Sequence, residues 1–152
     1  MRCIVLSLLF GVFTLFAYEK GDALSSGVVE KLQLKEDKIY IIDFFASWCH
    51  SCEKEIPQIS KLNNTLDTKR FEIVGVDVDK DSSKAEAFQK NMRANEKLNF
   101  RVVNDAKSAI IKEFKPIGMP SLYIVKNLKV ENMIFGAVDN IDEHIVNILE
   151  SL

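Results

Sequence analysis

The segment FFASWCHSCEKEIP, residues 44–57, joins the end of an apolar run to the start of a helical pattern. It contains Cys49 and Cys52, which are separated by two residues. A pair spaced in this way can ligate a metal, form a structural disulfide or carry out thiol–disulfide exchange. The rest of the chain decides among these three possibilities.

The N-terminal segment predicts export. After the positive start at Met1 and Arg2, residues 4–17 are almost wholly apolar, and polar residues follow from Tyr18 onward. This apolar length matches the core of a signal peptide, whereas a membrane-spanning helix needs roughly twenty such residues. We therefore predict a cleaved signal peptide at residues 1–17, with an uncleaved membrane anchor as the alternative. Either way, the folded part is expected in the periplasm or another extracytoplasmic space.

Cleavage would leave Cys49 and Cys52 as the only cysteines, because Cys3 lies within the predicted signal. A structural disulfide is disfavoured, since closing such a small loop contributes little entropic stabilisation. Zinc needs four ligands, and the chain offers one cysteine pair, His50 within it and the distant His144. We therefore expect no metal and no cofactor.

Thiol–disulfide exchange fits the position of the pair better. Unsatisfied N–H groups and the helix dipole favour a thiolate at a helix start, so the pKa of Cys49 should lie below the free value of about 8.5. Cys52 follows one turn later on the same side, where it can attack a mixed disulfide formed at Cys49.

The periodicity of apolar residues predicts an α/β fold. Continuous β-branched and aromatic runs indicate strands, and apolar residues at three- and four-residue steps indicate helices. The predicted strands are residues 39–45, 71–78, 100–103, 121–125 and 130–135, and the predicted helices are residues 49–66, a segment capped by Asp81, residues 106–114 and residues 141–152. This order predicts a mixed sheet with parallel core strands, a C-terminal antiparallel hairpin and helices on both faces.

Three sequence signatures resemble the thioredoxin superfamily. Residues 43–52, DFFASWCHSC, look like its active-site strand and turn, and residues 118–121, GMPS, match its cis-proline loop. Residues 52–57, CEKEIP, are similar to the CxxExP variant of the TlpA/ResA/CcmG branch of exported oxidoreductases.

The resemblance implies a thioredoxin fold over residues 36–152, preceded by a lead-in segment at residues 18–35. A helix–strand insertion at about residues 82–103 is also similar to the TlpA/ResA/CcmG branch. The formal net charge of −2 argues against a nucleic-acid surface, which would need a basic excess. We expect a monomer that binds no nucleic acid.

The same resemblance implies roles for residues around the cysteines. Pro120 should follow a cis peptide bond, and the backbone of Met119 should pair with an extended substrate strand. Asp43 corresponds to the buried acid that takes the proton of Cys52. Thioredoxins usually pair this acid with a lysine on the next strand, where this chain has Gly75.

Three further residues close to the pair are expected to tune or shield it. Glu55 matches an acid in the active-site cleft, which can exchange protons with the thiols and hold their titrations apart. Trp48 should flank and shield the disulfide. His50 departs from the branch pattern, and an imidazolium beside the thiolate would stabilise the reduced form.

By resemblance, the protein is expected to be an exported thiol–disulfide oxidoreductase that acts through Cys49 and Cys52. Its expected task is to reduce disulfides in exported proteins, with apocytochrome c as first candidate and a membrane thiol carrier of the CcdA/DsbD type as electron donor. The alternatives are a DsbA-like oxidase, a Sco-like metallochaperone and a redox-inert binding module. The short insertion disfavours the first, the two-residue cysteine spacing the second, and the cysteines themselves the third.

Overall fold

The computed structural model describes residues 17–152, so all but the last residue of the predicted signal peptide lies outside the described residues. The chain forms, in order, α1 (Ser26–Leu32), β1 (Ile39–Phe45), α2 (His50–Asn63), β2 (Phe71–Asp77), α3 (Ser82–Ala94), β3 (Arg101–Asn104), α4 (Ile111–Phe114), β4 (Ser121–Lys126), β5 (Lys129–Phe135) and α5 (Ile141–Glu150). No helix within residues 17–152 has the length and apolar character needed to cross a membrane.

The five strands form one mixed sheet in the order β3-β2-β1-β4-β5. The central strand β1 runs parallel to β2 and antiparallel to β4. On the outer sides, β3 is parallel to β2, and β5 is antiparallel to β4. The predicted parallel core and antiparallel C-terminal hairpin are both confirmed.

All residues of β1 are buried, because helices cover both faces of the sheet. Successive side chains of a strand point to opposite faces. Ile41 and Phe45 pack with residues of α2, α3 and α5. Ile42 and Phe44 pack on the other face with residues of α1 and α4. The predicted helical layers on both faces are therefore confirmed.

The lead-in segment packs against the C-terminal hairpin. Ala23 forms an isolated antiparallel bridge with Lys129, and the N–H of Gly21 donates to the carbonyl of Val130 at 2.7 Å. In α1, Val28 is fully buried against the sheet. Residues 18–35 thus share a core with the strands that follow them.

The helix predicted at residues 106–114 forms only over its last four residues, which are α4. The prediction is wrong for residues 106–110. The carboxylate of Asp105 accepts the backbone N–H groups of Ala109, Ile110 and Ile111 at 2.7, 3.0 and 2.8 Å. Local side-chain acceptors of this kind compete with helical carbonyls for the same donors. Ser108 has a positive φ of 54°, which also interrupts a helix.

The connection in the hairpin is shorter than the predicted strands imply. Strands β4 and β5 extend to Lys126 and Lys129, which leaves Asn127 and Leu128 as the loop. Both loop residues have positive φ, 51° and 58°, as in the two-residue turns that match the twist of a hairpin. The sequence shows no glycine here, so the tight turn is not evident from composition.

Gly75 lies opposite Asp43 in the β1–β2 register, as predicted from the sequence. A Cβ atom at Gly75 would lie 2.7 Å from a ring carbon of Phe45 and 3.0 Å from a ring carbon of Phe100. Two aromatic rings therefore fill the space beside Gly75.

We expect Gly75→Ala to destabilise the protein by about 1–3 kcal/mol, because overpacking forces the two rings to move. The free energy of unfolding in denaturant measures this effect. Gly27→Ala is the matched control, since its nearest neighbour would be the Lys31 Nζ at 3.5 Å and alanine favours the helix. Equal stabilities for the two variants would contradict the packing described here.

Candidate active site

The turn after β1 places Cys49 at the start of α2. The strand ends at Phe45, and the N–H of Cys49 donates to the carbonyl of Ala46 at 3.0 Å. Cys49 is the N-cap of α2, and its sulfur accepts the N–H of Cys52 at 3.2 Å. The sulfur thus meets one of the backbone donors that a helix start leaves unsatisfied.

Cys49 and Cys52 form a disulfide, with their Cα atoms 5.3 Å apart. Cys49 is 7% exposed and Cys52 is 1% exposed. The first cysteine is therefore the more accessible of the two, and the second lies beneath it on the inner side of the helix. This is the order required when Cys49 attacks a partner and Cys52 resolves the mixed disulfide.

The loop before β4 lies beside this disulfide. The Met119–Pro120 peptide bond is cis, and Met119 packs against the apolar cluster that includes both cysteines. Ser121 is opposite Phe44 in the β1–β4 register, so the loop meets β1 where the active-site turn leaves the sheet. Two bonds hold it: the Ser121 hydroxyl donates to the Gly118 carbonyl, and the N–H of Gly136 donates to the Pro120 carbonyl.

Two buried carboxyl groups lie on the cysteine side of the sheet. Asp43 is in β1, and Glu55 is one turn after Cys52 in α2; both are buried. Burial raises the pKa of Asp43 well above its usual range, and repulsion from Glu55 adds to the rise. Burial also raises the pKa of Glu55 from 4.5 to about 7.

The ionised form of Asp43 is therefore disfavoured, while Glu55 is close to half ionised at pH 7. The Asp43 Oδ1 has no hydrogen-bond partner among the described residues. The residue opposite Asp43 on β2 is Gly75 rather than a lysine. No positive charge at that position therefore lowers the pKa of Asp43. Because its pKa is about 7, Glu55 can both accept and release a proton near neutral pH.

The rim of the site is apolar and exposed. Trp48 is 67% exposed directly before Cys49, and Ile117 is 84% exposed in the loop that carries the cis bond. Trp48 is thus outside the core and free to cover one side of the disulfide. The exposed position of Ile117 was not predicted from the sequence. Its neighbours Pro116 and Gly118 both disfavour a helix, so the sequence does indicate that this large apolar residue lies in a loop.

His50 lies on the outer side of α2 rather than inside the site. Its side chain is largely exposed, and its Nδ1 lies 3.8 Å from the Glu53 carboxylate. A positive charge on the ring would be partly neutralised by Glu53 and screened by solvent. The predicted influence of His50 on the thiolate stays a prediction.

These features together provide the parts needed for thiol–disulfide exchange. A slightly exposed cysteine at a helix start, a more deeply buried second cysteine and a carboxyl group of near-neutral pKa can form and resolve a mixed disulfide. Within residues 17–152, no three His, Cys, Asp or Glu side chains are grouped so that they could hold a metal ion.

Comparison with known proteins agrees with this geometry. Sporulation thiol-disulfide oxidoreductase A of Bacillus subtilis is 28% identical over 85 residues, which cover 56% of this chain and 51% of that protein. Thiol-disulfide oxidoreductase ResA of Bacillus thuringiensis subsp. konkukian is 31% identical over 110 residues, 70% of this chain and 61% of that protein. This chain therefore spans between half and two thirds of the length of these relatives.

A solved structure supports the fold independently. A structure from Chlorobium tepidum, described as the thiol:disulfide interchange protein DsbE, superposes with a TM-score of 0.74 at 22% identity. The match covers 89% of this chain and 98% of that one. The model of the thioredoxin-like family matches residues 37–129, which include both cysteines and the cis-proline. This chain belongs to the thioredoxin-like family.

Proposed function

We propose that this protein is an extracytoplasmic thiol–disulfide oxidoreductase that reduces disulfides in other exported proteins. One observation carries the proposal: the Cys49–Cys52 disulfide lies at the start of α2, beside the cis-proline loop. Two carboxyl groups that can bind protons are buried on the same side of the sheet. The apolar N-terminal segment in the sequence supports an extracytoplasmic location.

The exchange proceeds in two steps in the reduced protein. The Cys49 thiolate attacks a substrate disulfide, forms a mixed disulfide and releases the first substrate thiolate. Cys52 then loses its proton and attacks the Cys49 sulfur, which releases the second substrate thiol. The substrate gains two electrons and the protein is left with the Cys49–Cys52 disulfide. A dithiol donor must return two electrons before the next cycle.

The buried carboxyl groups serve the second step. Cys52 is buried, and burial disfavours its thiolate, so its deprotonation needs a nearby acceptor. Glu55, with a pKa of about 7, can accept this proton and give it up again at the same pH. Burial and repulsion from Glu55 raise the pKa of Asp43 well above its usual range, which disfavours a second negative charge near Glu55.

The direction of electron flow depends on how strongly the site stabilises the Cys49 thiolate. A strongly oxidising member of this family draws its power from a very stable thiolate. Here burial of the cysteines opposes thiolate formation, and the charge that Glu55 carries near pH 7 adds to this effect. The outward position of His50 weakens the effect that would favour the thiolate. This favours a reductant over an oxidase.

The proposed substrates are disulfides of exported proteins, with those of apocytochrome c before haem attachment as first candidate. The proposed electron donor is a membrane thiol carrier of the CcdA/DsbD type. Both rest on resemblance to the branch that includes ResA, a name that recurs among the relatives of this chain.

Cys52→Ser should trap mixed disulfides through Cys49, because the resolving thiol is missing while the attacking one remains accessible. Cys49→Ser should trap none, since Cys52 is nearly inaccessible. Incubating each variant with apocytochrome c carrying its disulfide, followed by non-reducing electrophoresis, measures the adducts. Trapping by neither variant, or equally by both, would exclude this mechanism.

The stability of the oxidised protein should fall as pH rises from about 4.5 to about 7, partly through Glu55. Its pKa is higher in the folded state, so the stability it gives is complete below 4.5 and is lost as pH rises through about 7. Glu55→Gln should remove about 3 kcal/mol of this pH dependence. Unfolding free energies at pH 4 and pH 8 measure it.

Glu53→Gln is the control, because Glu53 is an exposed carboxylate on the same helix. It should keep the pH dependence of the wild-type protein. A Glu55→Gln variant with unchanged pH dependence would show that Glu55 ionises normally in the fold.

A further inference from the structure

A carboxylate distant in sequence is bonded to the active-site turn. The Asp79 Oδ2 accepts the backbone N–H of Ser47 at 2.7 Å, across 32 residues of sequence. Asp79 is only 4% exposed and Ser47 is half-buried, so this bond is partly shielded from water. Ser47 is the second residue of the turn that the N–H of Cys49 closes onto the carbonyl of Ala46. The carboxylate therefore holds the segment that leads into the attacking cysteine.

This bond extends the pairing of β1 and β2 beyond the end of β1. The N–H of Val78 still donates to the carbonyl of Phe45 at 3.0 Å, one residue past β2. The next hydrogen bond between the two segments runs from the N–H of Ser47 to the side chain of Asp79 rather than to a backbone carbonyl. The position of the turn is thus tied to the sheet and not only to α2.

Asp79 is itself held by a second buried carboxyl group. Asp77 is fully buried; its Oδ1 accepts the N–H of Asp79 at 3.0 Å, and its Oδ2 accepts the amide of Gln89 at 2.7 Å. The same amide nitrogen donates to the Asn104 Oδ1 at 2.7 Å. Side chains from α3 and the end of β3 therefore fix the loop that carries Asp79.

The electrostatics of this network agree with its geometry. Burial raises the pKa of Asp77, and the Asp79 carboxyl group beside it adds to the rise, while the bonds from the Asp79 N–H and the Gln89 amide oppose it. Two carboxyl groups in contact are costly unless each has donors. Ser47 supplies the donor for Asp79, and Gln89 supplies one for Asp77.

We propose that Asp79 is a positioning residue for thiol–disulfide exchange, which fixes the turn before Cys49 by accepting the N–H of Ser47. Asp77 and Gln89 act on the reaction only through Asp79. With the turn fixed, the Cys49 sulfur stays at the start of α2, where it accepts the N–H of Cys52. This inference rests on the proposed function, because exchange at Cys49 is the reaction that Asp79 assists.

The test is the rate at which Cys49 of the reduced full chain forms a mixed disulfide with oxidised glutathione at pH 7. Mass spectrometry of the Cys49 peptide follows it in Cys52→Ser protein, where the adduct persists. Asp79→Ala should slow the reaction on the order of tenfold, because small displacements of reacting groups cost rate. Asp79→Asn keeps an oxygen acceptor for Ser47 and should stay within about twofold of the unsubstituted rate.

Asp81→Asn is the matched control. It removes the same charge from the same loop, while asparagine still caps α3, where the exposed Asp81 bonds to Ser83. Its rate should equal that of the parent protein. A slow Asp81→Asn variant, or an Asp79→Asn variant as slow as Asp79→Ala, would mean that charge rather than the Ser47 bond matters. A folded Asp79→Ala variant that reacts at the parent rate would also overturn the proposal.

A measurement on the wild-type protein covers the case in which Asp79→Ala does not fold. The amide of Ser47 should exchange with solvent deuterium as slowly as the amides of β1, and exchange at the rate of an open turn would overturn the proposal. Neither readout depends on a physiological substrate. A chain that fails to reduce exported proteins can still show the dependence on Asp79, so the two failures are distinguishable.

Discussion

Strand β1 is buried on both faces of the sheet, and this burial shapes the site at its end. A strand covered by helices on each side can place a polar side chain only at a free-energy cost, and Asp43 is one. The chain must also leave the sheet where β1 ends, and the turn there delivers Cys49 to the start of α2. One buried strand thus sets the position of the disulfide and the environment of the acid beneath it.

The chemistry of the site is a competition between two effects on charge. The start of α2 favours negative charge on Cys49, because the N–H of Cys52 donates to its sulfur and the helix dipole points its positive end there. The interior behind it disfavours negative charge, as the raised pKa values of Asp43 and Glu55 show. The more exposed cysteine is therefore placed to react, and burial disfavours a thiolate on the inner one. This asymmetry gives the two sulfurs different roles.

The sequence predicts local features well and distant contacts poorly. The bounds of residues 39–45 are correct because a continuous β-branched and aromatic run has few alternatives, and the position of Gly75 opposite Asp43 follows from the register. The helix predicted at residues 106–110 fails because the Asp105 carboxylate takes its backbone donors. The role of Asp79 cannot be predicted from the sequence, since its bond joins segments far apart in the chain and leaves no local pattern.

The reduction potential of the Cys49–Cys52 pair measures how far the site stabilises the reduced form and so distinguishes a reductant from an oxidase. Equilibration of the protein with glutathione or dithiothreitol redox buffers at pH 7 gives this value. Because burial and the charge of Glu55 oppose the thiolate, we expect a potential nearer to that of thioredoxin, about −270 mV, than to that of DsbA, about −120 mV. A potential above about −150 mV on the same scale would contradict it and identify an oxidase.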